Sequence, residues 1–365
     1  MKTKILLLSL VLMLVVGLVA MGCPAPTPPP PTPPAPPPPP PPPPPEVIEW
    51  DVSFWGGPGA RVWPVWPWYE EEIVKRTDGR FKVTIHHGAA LAPSKEQLDG
   101  LKAGLYEMCH FASAYHPGKN PLMSFFDLPG LAPADLKEKA QLELAFMEHP
   151  AAQEEMLYRW NAVYIGLAHT RPNYTFLGTK PIRSLADFDG MRSRTPAPVT
   201  TLLEKWGGVG LLIPAPEVYE AIAKGTLDQS FFAPASHQGY KIHEVSQYYT
   251  YGVPLGAGMG WFLVANADAW AALPEDIKAI HWELVEELML ERLPAEMGKK
   301  VDEIFADWEA RGIEFIEFPA EDAAEMEAAA KPTWEEYAKS LDAQGLPGTE
   351  MLEYLLAKRM EISGY

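Results

Sequence analysis

Arg194 is the residue in this sequence best placed to do chemistry on a ligand. It lies near the end of the short run Met191–Thr195, which reads as a strand, and Pro196 and Pro198 stop that strand directly afterwards. A planar guanidinium at a strand end suits a carboxylate held by two parallel hydrogen bonds. Aromatic side chains fall near other strand ends: Trp55, Tyr115, Tyr174 and the pair Phe231-Phe232. From the residues alone Arg194 reads either as such an anion anchor or as a surface or salt-bridged arginine.

No constellation for covalent chemistry accompanies it. The sequence has no G-x-S-x-G, no P-loop, no G-x-G-x-x-G after a strand and no H-E-x-x-H. Glu217 and Asp228 read more simply as a helix-start acid and a turn residue than as an acid–base pair. His86-His87 ends a strand, but no Cys, Asp or Glu completes a ligand set at metal spacing, so no metal is expected. No cofactor is expected either. Cys109 lies among apolar residues and reads as a small buried hydrophobe.

The elements that must position Arg194 lie within residues 181–232. Ser184 with Asp187 three residues on is a capping-box pattern for a short helix that Gly190 ends. The Arg194 strand follows, then a helix from Val199 to Trp206, an apolar strand from Val209 to Ile213, a helix from Glu217 to Lys224, and a strand carrying Leu227 and Asp228. This β-α-β-α-β order predicts a parallel sheet faced by helices, with ligands beyond the carboxyl ends of the strands.

Around this block, strands are expected at Val47–Trp55, Phe81–Ile85, Met108–Ala112, Val163–His169, Gln247–Gly252, Gly260–Ala265 and Ile313–Phe318. Ser94 and Gln97 form a second capping-box pattern. Asp268 reads as the cap of a turn, and Pro294 should bend or break the helix that runs from Pro274. Trp63, Trp66 and Trp68 cluster after the first strand, as a packed corner or as part of the pocket wall.

PIRSLADFDGMRSRTP followed by EVYEAIAKGTLD resembles the core motif of the DctP-like substrate-binding proteins of tripartite ATP-independent periplasmic (TRAP) transporters, solute-binding protein family 7. RTDGRFKVTIHHGAALAPSKEQLDGLKAG and VANADAWAALPEDIK resemble two further segments of that family, and the likeness runs over about residues 50–360. It implies an α/β, two-lobed periplasmic-binding-protein-like fold with the ligand cleft between the lobes. It also implies that Arg194 grips the substrate carboxylate, that no ATP is used, and that a small and a large membrane subunit of the DctQ and DctM type take over the ligand. A branch of the family that binds sialic acid has an arginine where this chain has Tyr174 and an asparagine where it has Phe232. A keto-acid branch has Glu-Trp at Phe231-Phe232, its Glu helping to hold a metal that Phe231 cannot ligate. These departures point to a monocarboxylate with an apolar body. The alternative on the same fold is a protein that presents its ligand to a sensor or receptor; beyond that stands a lipid-anchored hydrolase.

Composition agrees with a secreted binding protein. Lys and Arg number 30 against 48 Asp and Glu, for a net charge of −18. Residues 1–22 hold Lys2 and Lys4 and no acid, so without them the net charge is −20. Such a balance argues against nucleic acid as partner. Residues 1–22 read as a secretory leader, and Ala20-Met21-Gly22-Cys23 as a lipobox that makes Cys23 the lipidated residue of an extracytoplasmic, membrane-tethered protein. Residues 23–45 are a linker, with 18 prolines in Pro24–Pro45; polyproline II would extend it to roughly 70 Å. Residues 46–171 and 258–297 are assigned to lobe 1, and 172–257 and 298–365 to lobe 2.

Overall fold

The computed structural model describes residues 47–56, 65–116, 118–167, 174–256 and 260–364. The leader, the lipobox with Cys23, the proline linker, Trp63 and the segment 168–173 lie outside the described residues.

The mixed α/β chain builds two sheets. In the first, β1 (Ile48–Ser53), β2 (Phe81–His86), β3 (Met108–Ala112), β4 (Ala162–Leu167) and β10 (Trp261–Asn266) take the order β2-β1-β3-β10-β4. β1 runs parallel to β2 and β3, and β10 runs antiparallel to β3 and β4. The second sheet holds β5 (Thr175–Gly178), β6 (Arg192–Arg194), β7 (Val209–Gly210), β8 (Gln229–Phe232), β9 (Tyr248–Tyr251) and β11 (Glu314–Glu317), in the order β11-β9-β5-β8-β6-β7. β6 is parallel to both β7 and β8, the arrangement expected of the central block. β3 is buried along its whole length, as a strand covered on both faces must be.

Local chemistry explains where this block turns. The Asp187 carboxylate accepts the backbone N–H groups of Arg183 at 2.7 Å and Ser184 at 2.9 Å, which fixes the start of a 3₁₀ turn over Leu185–Phe188. Gly190 follows at φ +66, a conformation that favours glycine, and the chain enters β6. β7 is two residues long rather than the five expected. It lies at the sheet edge, and Pro214 cannot donate to a ladder.

Three local expectations are corrected. Ser94 does not cap a helix: the helix Gln97–Lys102 starts after Glu96, and the Gln97 side chain turns back to donate to the Ala92 carbonyl at 2.6 Å. The cap at residues 267–272 is Asn266, whose side chain accepts from the N–H groups of Asp268 and Ala269, and not Asp268. Pro294 does not break its helix. Glu275–Glu286 runs into a widened π turn over Glu287–Arg292, and the helix resumes as Leu293–Ala310 with Pro294 in its first turn. Pro lacks the N–H and crowds the carbonyl four residues back, and the wide turn accommodates both.

The helix Ala320–Asp342 straps the two lobes together. Its first half receives the Leu185 N–H on Asp322 and the Trp206 indole N–H on Glu325. Its second half donates from Trp334 to the Pro129 carbonyl and from Tyr337 to the Pro121 carbonyl. Pro332 lies between these halves. The last helix, Gly348–Ser363, packs on Leu136–Glu148, with Tyr354 donating to the Ala145 carbonyl at 3.0 Å. Among the described residues, no helix is long and apolar enough to cross a membrane.

Candidate functional site

Arg194 is the last residue of β6 and is 0% exposed. Its Nε donates to the Ile213 carbonyl at 3.3 Å and Nη1 to the Phe231 carbonyl at 3.4 Å. Nη2 donates to the Tyr115 hydroxyl at 3.0 Å. The guanidinium lies 4.1 Å from the centre of the Phe232 ring, in cation–π range. Among the described residues no carboxylate pairs with it. A buried guanidinium with neutral neighbours alone is an electrostatic cost that an anion would relieve.

The other cation on this strand is handled differently. Arg192 bonds Asp228 through Nε at 2.9 Å and Nη2 at 2.7 Å, and Lys180 reaches the same carboxylate at 3.1 Å. Burial pushes the Asp228 carboxyl up, but Arg192, through side chain and backbone N–H, and Lys180 outweigh it and bring it down to about 2. Asp228 is a structural anion here. Glu217, the other half of the acid–base pair considered from sequence, precedes helix Val218–Ala223 and makes no such contact among the described residues.

Of the aromatic candidates, Tyr115 and Phe232 touch Arg194 directly, and Trp55 and Tyr174 pack against the residues around it. Tyr115 sits in the 3₁₀ turn after β3, is 2% exposed, and accepts from the Ala215 N–H at 3.3 Å as well as from Arg194. Burial raises its pKa although Arg194 and the Ala215 N–H pull the other way, so the phenol keeps its proton. Trp55, two residues past β1, meets Tyr115 edge-on at 5.1 Å and lies near-parallel to Trp261 at 5.5 Å. Tyr174 packs edge-on to Phe231 at 5.3 Å and receives the Trp261 indole N–H at 3.2 Å. Phe231 and Phe232 end β8. A cavity of about 500 Å³ opens beside Trp55, between Ala89–Glu96 on one side and Leu212–Glu217 on the other.

Three participants were not among the sequence candidates. Trp261 is the first residue of β10, and antiparallel pairing to Ala112 brings it to the end of β3. Ile213 and Ala215 act through backbone groups, which side-chain types do not announce. The remaining tryptophans pack elsewhere: Trp66 against Phe54 at 5.4 Å, and Trp68 under the Arg292 guanidinium at 4.0 Å. His86 is bonded to Asp51 across β1 and β2 at 2.6 Å. Cys109 is fully buried, as expected of a small hydrophobe, and its thiol points to the Gln97 carbonyl. No group of three His, Cys, Asp or Glu side chains that could hold a metal ion occurs among the described residues.

Residues 68–340 match the family model of bacterial extracellular solute-binding proteins, family 7 (DctP). The chain belongs to that family. It is a family of solute-binding proteins and not of enzymes, and its members work outside the cytoplasm. A monocarboxylate 2-oxoacid-binding periplasmic protein of Nostoc is 24% identical over 212 residues, 58% of this chain and 57% of that protein. The match therefore spans little more than half of that relative. The C4-dicarboxylate-binding periplasmic protein DctP of Rhodobacter capsulatus is 25% identical over 76% of this chain and 82% of its own. Among solved structures, a marine metagenome TRAP solute-binding protein specific for aromatic acid ligands, in complex with metahydroxyphenylacetate, superposes with a TM-score of 0.75 at 20% identity. That superposition covers 87% of this chain and 99% of the other. The two-lobed fold is thereby the one the sequence resemblance implied.

Proposed function

We propose that this family 7 protein captures a small monocarboxylate with an apolar or aromatic body outside the cytoplasm. It delivers the acid to a small and a large TRAP membrane subunit for import. One observation carries the reading: a fully buried arginine, without a carboxylate partner among the described residues, enclosed by Tyr115 and Phe232. The ligand's carboxylate supplies the missing charge, and Trp55, Tyr174 and Phe231 add apolar surface beside it, while the cavity next to Trp55 is also lined by Lys95, Glu96 and Glu217. The names of the 2-oxoacid and aromatic-acid relatives fit a single carboxylate, while that of the Rhodobacter capsulatus relative is for a C4-dicarboxylate. The lobes divide at 171/172, 257/258 and 297/298, but the chain returns to lobe 1 after Pro332, where Trp334, Tyr337, Tyr354 and Arg359 bond to residues 121–145; Cys23 carries the lipid that tethers the linker and domain.

The test is a melting-temperature screen followed by calorimetry. The panel holds benzoate, metahydroxyphenylacetate, pyruvate, 2-oxobutyrate, succinate and glucuronate. Aromatic or aliphatic monocarboxylates should raise the melting temperature and bind tighter than the dicarboxylate and the sugar acid. Tightest binding by glucuronate, or no response to any acid, overturns the reading.

A further inference from the structure

The Tyr115 hydroxyl touches both lobes, and its hydrogen-bond count has a consequence for the ligand. Tyr115 hangs from the turn after β3, in the first sheet's lobe, whereas Arg194 and Ala215 belong to the second. A phenolic oxygen offers one proton and accepts through its lone pairs. Two donors already face it, Arg194 Nη2 at 3.0 Å and the Ala215 N–H at 3.3 Å. Among the described residues no acceptor receives its own proton.

Arg194 leaves a matching remainder. Of its five N–H groups, one each from Nε, Nη1 and Nη2 is directed to Ile213, Phe231 and Tyr115. One N–H on each terminal nitrogen remains. Among the described residues, two Arg194 N–H groups and the Tyr115 O–H, which are joined by the Nη2–hydroxyl bond, have no acceptor. An ionised carboxylate has lone pairs for all three donors and supplies the missing charge, whereas a neutral alcohol or amine has too few lone pairs and no charge.

We propose that Tyr115 is a specificity and positioning residue of this site: its O–H donates to the ligand's carboxylate while its oxygen takes two donors from the opposite lobe, so that one atom couples acid recognition to lobe closure. The proposal rests on the organic-acid reading above and adds the third donor and the coupling. Its consequence is kinetic. Losing the hydroxyl removes a bond to a charged oxygen and both inter-lobe bonds of Tyr115. The bound, closed state then loses more than the encounter does, and dissociation accelerates.

The experiment uses the full chain and Tyr115→Phe, with benzoate and 2-oxobutyrate as probes. Circular dichroism controls for folding. Loss of a charge-assisted hydrogen bond should weaken binding about 10- to 100-fold. Stopped-flow kinetics should place most of it in the dissociation rate, with the association rate within about threefold. Small-angle scattering should show ligand-free Tyr115→Phe more expanded than ligand-free wild type. Binding within about threefold of wild type overturns the proposal, as does a loss confined to the association rate. If wild type binds neither probe, the organic-acid reading is what fails. Scattering then decides Tyr115: equal ligand-free radii overturn its role in closure, and an expanded variant supports it.

Discussion

Replacing Arg194 by methionine should separate what the arginine does for the fold from what it does for the ligand. Methionine approximates its length and carries no charge. For the fold, two terms oppose one another. The guanidinium holds three hydrogen bonds at 3.0, 3.3 and 3.4 Å, two of them at the long end of the range. Such bonds contribute about 0.5–1.5 kcal/mol each. Against this, a buried cation without an acid partner among the described residues is costly, and replacing buried charged groups by apolar ones of similar volume is often neutral or stabilising by about 1–4 kcal/mol. The two nearly cancel, so ligand-free Arg194→Met should melt within about 4 °C of wild type. Binding has no such compensation. Removing one partner of a buried charged pair costs about 2–5 kcal/mol, roughly 30- to several-thousand-fold in dissociation constant. Arg194→Lys keeps the charge but loses the planar fork and should also lose most binding. Calorimetry with the tightest acid of the panel, beside melting curves without ligand, gives both numbers. A variant that melts more than about 8 °C lower yet binds within threefold of wild type would refute the argument, because Arg194 would then serve the fold alone.

Two further outcomes follow from other parts of the chain. Burial pushes the Asp127 carboxyl up to about 8, against the pull of the Ser113 hydroxyl and Lys139. Its unfolded value is near 3.8, so the stability it contributes is fully present below about pH 4 and is lost as pH rises towards 8. The melting temperature of wild type should therefore fall relative to that of Asp127→Asn between pH 5 and 8 and then run parallel; parallel curves throughout would place Asp127 in a different environment. Cys23→Ala should prevent lipid attachment and release the protein from membranes on fractionation. A mature N-terminus found by mass spectrometry away from residue 23 would remove the anchor.

Much of the fold could be read because its strands are buried apolar runs closed by strong punctuation. Met108–Ala112 ends where it was expected to end, and β6 stops at its two prolines. Misreadings arose where a side chain had competing partners. Ser94 carried the right residue type for a cap, but Gln97 bonds to the Ala92 carbonyl instead of returning to the helix start. Asn266 and Asp268 are both good caps, and β10 ends at Asn266, so the chain leaves the sheet with that residue at the Ncap position. Pro294 predicted a bend or a break; the helix does not break, because a π turn widens the backbone just ahead of the proline.

For the site, the register between β6 and β8 explains why one arginine of two remains available. The strands are parallel, with Ser193 opposite Gln229 and Arg194 opposite Ser230. One step back, Arg192 meets Asp228, and their backbones also bond there at 2.8 Å. The only acid in the run Asp228–Phe232 is thus aligned with Arg192, and the residues beyond it offer Arg194 a serine, a backbone carbonyl and a phenyl face. A slip of two residues would exchange these partners and neutralise Arg194 from within. That choice cannot be seen in R-S-R or D-Q-S-F-F alone; it depends on a pairing set by the helices and turns between them. Net charge could not decide it either, since a strongly acidic chain repels anions at long range and only a specific, desolvated donor overcomes that. Pairing Arg192 internally while leaving Arg194 to be paired from outside confines anion recognition on this strand to one position. On the proposed function, a carboxylate supplied by the ligand would then complete the electrostatics around Arg194.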